Sequence, residues 1–189
     1  MTAIRRKREA EPLRTGLHVS TICDDMMKAV EPKRYAKPID ETSVFLFQEL
    51  GNVIEDVIAG QLAQRLGWVK PPPRQDENGV WGQPDGWGQR SKTVHEVKAT
   101  WVSERSFVEV DPTGHIVEES HKFWRYRLQG LKYVSMWGGR RLMLHVVFIN
   151  GMYLPPFPNA RTFTMVPTAE DLTRNDRVLK QHAEDRGWL

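Results

Sequence analysis

The chain has 189 residues, of which 40% are hydrophobic and 27% charged, with a formal net charge of +3. This length suits one domain that buries a core without disulfides, and the single cysteine, Cys23, excludes an intramolecular disulfide and an all-cysteine metal centre such as an iron–sulfur cluster. The first residues lack the apolar core of a signal peptide, and no apolar run approaches the roughly 20 residues of a membrane span, so we expect a soluble, cytoplasmic protein with no membrane partner.

The positive charge is concentrated in two places along the chain. Residues 1–14 hold five basic and two acidic side chains, a net charge of +3. We expect residues 1–15 to form a flexible basic arm ahead of a single domain over residues 16–189. From Lys122 to Arg141 the chain carries six basic and no acidic side chains. Such a local excess in a neutral body indicates contact with a polyanion, and the alternative is a solvated helix face that happens to be basic.

The first half of the chain predicts two helices followed by a β region. A short helix is expected near Ser20–Val30. Residues 41–67 have apolar side chains at three- and four-residue spacing, which predicts an amphipathic helix that stops at Gly67. The apolar positions are Leu46, Leu50, Val53, Ile54, Val57, Ile58, Leu62 and Leu66. A short strand ending in a turn is expected over 80–87, a strand over 92–101, and a hairpin over 106–119 that turns at Asp111–Gly114.

The second half alternates helices and strands. A helix over 121–139 should end at Gly138-Gly139, and an apolar strand over 141–154 should run to a turn at Asn150-Gly151. Another strand is expected over 161–166. The last helix, over 167–187, has Thr168 as its candidate N-cap. This order of elements predicts an α/β or α+β fold with a mixed sheet flanked by helices.

The predicted strand over 92–101 carries an acid and a lysine, and charged side chains on a central strand require an explanation. Positions two apart on a strand share a face, so Glu96 and Lys98 project together, and His95 faces the other way. Burying unpaired charge is costly. The two groups are therefore either an ion pair on a solvated face or part of a metal site. Asp85 follows a neighbouring short strand, and a hairpin would bring its carboxylate next to Glu96. Adjacent carboxylates repel unless a cation lies between them, and magnesium prefers a few carboxylates with water and phosphate oxygens.

Pro84-Asp85 followed by Glu96-Val97-Lys98 resembles the signature of the PD-(D/E)xK nuclease superfamily. Two further motifs resemble its RecB and lambda-exonuclease-like branch. The preceding helix carries Gly51-x-x-x-Glu55, and the following helix carries Gln129-x-x-x-Tyr133, which is similar to the branch's QxxxY motif. The four pieces occur in the family's order over about residues 46–150. The resemblance implies a restriction-endonuclease-like core, with residues 16–189 as one nuclease domain of a phage-type protein.

The resemblance also implies roles for individual residues in hydrolysis of DNA. The cofactor would be Mg²⁺ or Mn²⁺, without an iron–sulfur cluster. The metal ligands would be Glu55, Asp85, Glu96 and the backbone carbonyl of Val97. Lys98 would hold the nucleophilic water or stabilise charge on the phosphate, and Gln129 and Tyr133 would position the DNA strand near the metal. The candidate phosphate contacts are Lys122, Arg125, Arg127 and Lys132.

Three functional hypotheses remain at this point. The first is a stand-alone exonuclease that processes DNA ends. Whether a recombinase or another phage protein is its partner stays open. The second is a structure- or site-specific endonuclease on the same fold. The third is a nucleic-acid-binding module without turnover. The intact set of two acids and a lysine argues against the third, and nothing in the sequence separates the first two.

Overall fold

A computed structural model describes residues 16–32, 41–110, 116–150 and 158–189. The predicted arm over 1–15 and the turn at 111–114 lie outside these ranges, as does most of the turn that follows Asn150. The helices are α1 (Val19–Val30), α2 (Glu41–Leu66), α3 (His121–Trp137) and α4 (Ala169–Asp185). The strands are β1 (Arg74–Gln75), β2 (Trp81–Gly82), β3 (Gly86–Gly88), β4 (Thr93–Thr100), β5 (Val108–Val110), β6 (Ile116–Glu119), β7 (Arg141–Phe148) and β8 (Asn159–Met165), and a 3₁₀ turn covers Glu104–Ser106.

The main sheet has four strands in the order β3-β4-β7-β8. The two inner strands, β4 and β7, run parallel and pair from Thr93 with Arg141 to Thr100 with Phe148. The outer strands β3 and β8 run antiparallel to their neighbours. Two small antiparallel pairs, β1–β2 and β5–β6, stand apart from this sheet. The predicted α/β class, with a mixed central sheet flanked by helices, is confirmed.

Helix α3 packs closely on one face of the sheet. Leu128 and Leu131 form a buried cluster with Val94 of β4 and Leu142 of β7. Gly130 permits this approach, because a Cβ atom there would lie 2.5 Å from a methyl group of Leu142. The cluster extends to α1 and α4. The close contact brings the side chains of α3 directly over β4.

Local signals in the sequence locate three helix ends correctly. Helix α2 ends before Gly67 and α3 before Gly138, and both glycines adopt the left-handed conformation, with φ of 65° and 61°. Helix α4 begins with a capping box, in which the Thr168 hydroxyl accepts from the Asp171 N–H and the Asp171 carboxylate accepts from the Thr168 N–H. None of the helices in the described ranges is long and apolar enough to cross a membrane.

Helix α2 differs from the simple amphipathic helix that its spacing predicts. Leu46, Leu50, Val53 and Val57 are exposed, at 61%, 44%, 40% and 57%. The partly buried positions include an acid, Glu55, and its apolar neighbours Ile54, Ile58 and Leu62. Apolar residues occur around much of this helix, so spacing alone did not identify which of them face the sheet.

Candidate active site

Strand β3 is short, and this leaves one edge of β4 open. It pairs with Thr93, Val94 and His95 only. Beyond that point, the N–H groups of Val97 and Ala99 point to the open edge, because successive residues of a strand direct their backbone groups to alternate sides. The backbone carbonyl of Val97 faces the same edge for the same reason.

Two carboxylates occupy that edge. Asp85 Oδ2 accepts a hydrogen bond from the Val97 N–H at 2.8 Å. Glu55 Oε1, from α2, accepts from the Ala99 N–H at 2.8 Å. The expected hairpin thus places Asp85 beside β4, and α2 adds a second acid. Two side chains that lie 30 residues apart in the sequence meet along two residues of one strand.

Glu96 and Lys98 lie on the face of β4 that α3 covers. The Lys98 Nζ is 2.7 Å from Glu96 Oε1. Glu96 is 2% exposed and the Lys98 side chain 14%, so the ion pair expected as one alternative exists, but on a buried face rather than a solvated one. Glu96 Oε2 has no hydrogen-bond partner in the part of the chain that the structure describes.

Gln129 and Tyr133 reach the same carboxylate from α3. The Gln129 Nε2 donates to Glu96 Oε1 at 2.9 Å and to the Tyr133 hydroxyl at 3.0 Å. Both side chains are buried. Their predicted contact with a DNA strand stays a prediction. In the described structure the Gln129 amide is turned to Glu96 and to the Tyr133 hydroxyl.

The site holds three carboxylates and one ammonium, and the pKa values of these groups depend on burial and on one another's charges. Burial raises the pKa of Glu96 to about 8, with Asp85 and Glu55 adding to the rise and Lys98 opposing it. Burial also raises the pKa of Glu55, against the attraction of Lys98. For Lys98, burial would lower the pKa, but the three carboxylates raise it well above its ordinary value. Three acids around one ammonium leave the site short of positive charge.

These residues fit a hard divalent cation, although they do not form a complete cage. Within the described ranges, no three His, Cys, Asp or Glu side chains gather as a ready-made metal site. The unpartnered Oε2 of Glu96 nevertheless leaves a carboxylate oxygen available, and the charges of Asp85 and Glu55 repel that of Glu96. Magnesium binds through one or two carboxylates and keeps waters and substrate oxygens as its other ligands, and such a partial ligand set is what the edge of β4 offers.

The basic run on α3 does not form the cationic surface that the sequence indicates. Lys132 is buried, and its Nζ lies 2.8 Å from Asp76 Oδ2 and 3.1 Å from Asp176 Oδ1. This environment does not favour its predicted phosphate contact, because two carboxylates already lie beside the ammonium. The acids come from the β1–β2 loop and from α4, far from Lys132 in the sequence.

The other predicted phosphate contacts on α3 differ in their surroundings. Arg127 is bound at two points to Glu119, at 3.0 and 2.6 Å. Arg125 touches Asp24 of α1 at a single point, with its Nη2 2.5 Å from Oδ1. Lys122 lies in the first turn of α3 and is partly buried. Tertiary acids therefore neutralise much of the run.

On the opposite face of the sheet, His95 packs away from Glu96 as predicted. Its ring centre is 4.0 Å from that of Trp68, and its Nδ1 is 3.2 Å from His145 Nε2. Burial lowers the pKa of His95 to about 3. This histidine is a neutral packing residue.

Sequence reasoning missed two residues near the site, Tyr126 and Asp24. The Tyr126 ring lies below Lys98, whose Nζ is 5.9 Å from the ring centre. In the sequence, an aromatic residue on a helix near a site cannot be distinguished from one that packs in the hydrophobic core. Asp24 sits on a helix that precedes all the motifs, and no spacing connects it to Arg125.

No protein-family model matches the sequence, and no curated protein matches it. Solved structures do match the fold. A phage-related exonuclease from Haemophilus somnus 129PT aligns with a TM-score of 0.55 and 14% identity, over 87% of this chain and 79% of that one. The crystal structure of SSO0001 aligns with a TM-score of 0.53 and 10% identity, over 94% and 81%. At these identities the likeness shows the fold alone, a mixed sheet flanked by helices.

Proposed function

We propose that this protein is a metal-dependent deoxyribonuclease of the PD-(D/E)xK type that hydrolyses DNA phosphodiester bonds from an end. The observation that carries the proposal is the convergence of Glu55 and Asp85 on the open edge of β4, beside the ion pair of Glu96 and Lys98. The similarity of the fold to a phage-related exonuclease supports it.

The proposed metal ligands are Asp85, Glu96, the carbonyl of Val97, and Glu55 directly or through water. When bound, Mg²⁺ or Mn²⁺ would neutralise the phosphate and make a bound water more acidic. Asp85 and Glu55 each use one oxygen on a β4 N–H. Those hydrogen bonds fix the two carboxylates to a rigid strand, which is the preorganisation that charge stabilisation requires.

Lys98 supplies the positive charge that the chain itself brings to the reaction. Its ammonium is held by Glu96 at 2.7 Å and retains a small exposed fraction. In a site largely closed to water, a fixed cation stabilises charge that develops on a phosphate far better than it would in solvent. Lys98 is thus placed to hold the attacking water or to stabilise the phosphate oxygens.

Gln129 and Tyr133 act on Glu96 in this proposal. The Gln129 amide occupies one oxygen of the carboxylate, the same one that Lys98 contacts. The other oxygen, Oε2, is left for a ligand. The pair therefore sets the orientation of a metal ligand through a buried hydrogen bond.

The test is incubation with end-labelled linear DNA and with covalently closed circular duplex, each with Mg²⁺ and with a chelator. We expect linear DNA to be degraded progressively, the circle to resist, and the chelator to stop the reaction. Glu96→Gln should be inactive, while Glu170→Gln, which changes an exposed acid on α4, should retain activity. Full activity of Glu96→Gln would contradict the proposal. Discrete fragments from the closed circle would favour the endonuclease alternative.

A further inference from the structure

Arg125 differs from the other basic residues of α3 in how it is held. Its guanidinium meets Asp24 at one point, 2.5 Å from Nη2 to Oδ1. The Asp24 side chain is 47% exposed and that of Arg125 22%. The Nε of Arg125 is buried and has no hydrogen-bond partner among the described residues. A guanidinium carries five N–H donors, so this contact leaves much of its hydrogen-bonding capacity unused.

Arg125 also belongs to the surroundings of the proposed active site. Its guanidinium carbon lies 5.2 Å from the centre of the Tyr126 ring, and the Lys98 Nζ lies 5.9 Å from the same centre. While burial raises the pKa of Glu55, the charges of Lys98 and Arg125 both oppose that rise. Arg125 is therefore a second cation, after Lys98, whose charge acts on the Glu55 carboxylate.

A partly exposed single-point ion pair is a weak competitor for a DNA phosphate. Solvent-exposed pairs contribute about 0–1 kcal/mol, because solvent screens them and the side chains lose freedom, and the Asp24 side of this pair is open to solvent. A phosphate can accept two parallel hydrogen bonds from a guanidinium, which is a stronger and more directional contact. Arg127 already makes such a two-point contact with Glu119, so it has less to gain from exchange.

We propose that Arg125 binds a backbone phosphate of the DNA strand next to the scissile one, and that Asp24 is the anion which this phosphate displaces. The inference rests on the proposed function, because it names the substrate contact of that same site. Asp24 holds the guanidinium over Tyr126 in the absence of DNA and weakens binding by competing for it. Release from Asp24 accompanies entry of the strand.

The test measures binding of a labelled oligonucleotide by fluorescence anisotropy, with Ca²⁺ in place of Mg²⁺ to limit cleavage. Asp24→Asn should tighten binding several-fold, up to about tenfold, the equivalent of roughly 1.4 kcal/mol. Arg125→Gln should weaken it and make the slope of log affinity against log salt shallower by about 0.7–0.9. The double variant should bind like Arg125→Gln alone, because Asp24 acts only through Arg125.

Glu119→Gln is the matched control, since it removes the acid partner of another arginine on the same helix, and it should not tighten binding. Arg125→Lys keeps the positive charge but cannot donate two parallel hydrogen bonds. It should retain the slope of log affinity against log salt and lose part of the affinity. Unchanged affinity in Asp24→Asn, or an unchanged salt slope in Arg125→Gln, overturns the inference.

Cleavage by the unaltered protein separates the two proposals. If it cleaves DNA and Asp24→Asn binds no tighter, the inference fails and the nuclease proposal stands. If the Asp24 and Arg125 effects on binding are seen without any cleavage, the nuclease proposal fails and the phosphate contact stands.

Discussion

Two lysines of this protein, the buried Lys132 and the partly buried Lys98, each lie among acids, yet their clusters differ in charge balance. Lys132 lies between Asp76 and Asp176. Burial works against ionisation of Asp76, but hydrogen bonds from Lys132 and from the backbone N–H of Val80 outweigh it and lower the pKa of Asp76. The charges of this cluster stabilise each other.

The cluster around Lys98 behaves in the opposite way. Three carboxylates share one ammonium, and the pKa values of Glu96 and Glu55 are raised by burial and by Asp85. A buried lysine paired with acids is thus equally compatible with a structural ion pair and with a reactive site. The two clusters differ in the direction of the acids' pKa shifts: burial and repulsion among the carboxylates outweigh Lys98 at Glu96, whereas hydrogen bonds outweigh burial at Asp76.

The largest expected effect is on catalysis at the Lys98 cluster. Lys98→Met, Glu96→Ala and Asp85→Ala should each reduce cleavage about a thousandfold, equivalent to roughly 4 kcal/mol of transition-state stabilisation. Initial rates on linear DNA measure this, and circular dichroism checks the fold. Cleavage within tenfold of the unaltered protein in all three would remove the basis for the site.

Lys132→Met should instead lower stability. It leaves Asp76 and Asp176 near each other without their cation, and removal of one member of a buried pair costs about 3–5 kcal/mol. We expect the lower end of that range because Asp176 is partly exposed. Urea denaturation measures the loss. The rate per folded molecule should be retained, and a selective loss of cleavage in a stable variant would contradict the comparison.

The two clusters should also respond oppositely to pH, with a smaller effect. Glu96 has a folded pKa of about 8 against an ordinary 4.5, so the folded state holds its proton longer and stability declines as pH rises between those values. Asp76 has a lowered pKa, so its contribution is lost as pH falls below its ordinary 3.8. Glu96→Gln should flatten the first slope in metal-free protein, measured by urea unfolding at several pH values. An unchanged slope would mean that Glu96 is ionised in the folded state.

The smallest effect distinguishes charge from hydrogen bonding at Glu55. Glu55→Gln keeps an oxygen that can accept from the Ala99 N–H, whereas Glu55→Ala leaves that donor without its present partner. Both should slow cleavage, but Glu55→Ala should cost about 1 kcal/mol more in stability. Thermal melts of the two variants side by side test this, and equal melting temperatures would show that the hydrogen bond does not contribute.

The parts of the fold that depend on local chemistry were predictable from the sequence. Gly67 and Gly138 end helices because they adopt positive φ, and Thr168 starts one through its capping box. The side-chain alternation of β4 correctly separated Glu96 from His95. Each of these depends on residues within a few positions of one another.

The parts that depend on distant partners were not predictable. The acids that neutralise Arg125, Arg127 and Lys132 come from other elements, and charge counted along the chain cannot register them. The spacing of Gln129 and Tyr133 placed them on one face of a helix, but only the packing of α3 on β4 shows that this face meets Glu96.

The shortness of β3 has a consequence for how the molecule resists aggregation. An unpaired strand edge is a template for a strand of another chain. Here the N–H groups of Val97 and Ala99 are already bound by the carboxylates of Asp85 and Glu55, and those acids put carboxylate groups along the unpaired border. The proposed metal ligands therefore also protect the sheet from edge-to-edge association. Removal of both acids should expose that border and promote β-aggregation, a hazard that Lys98→Met does not carry.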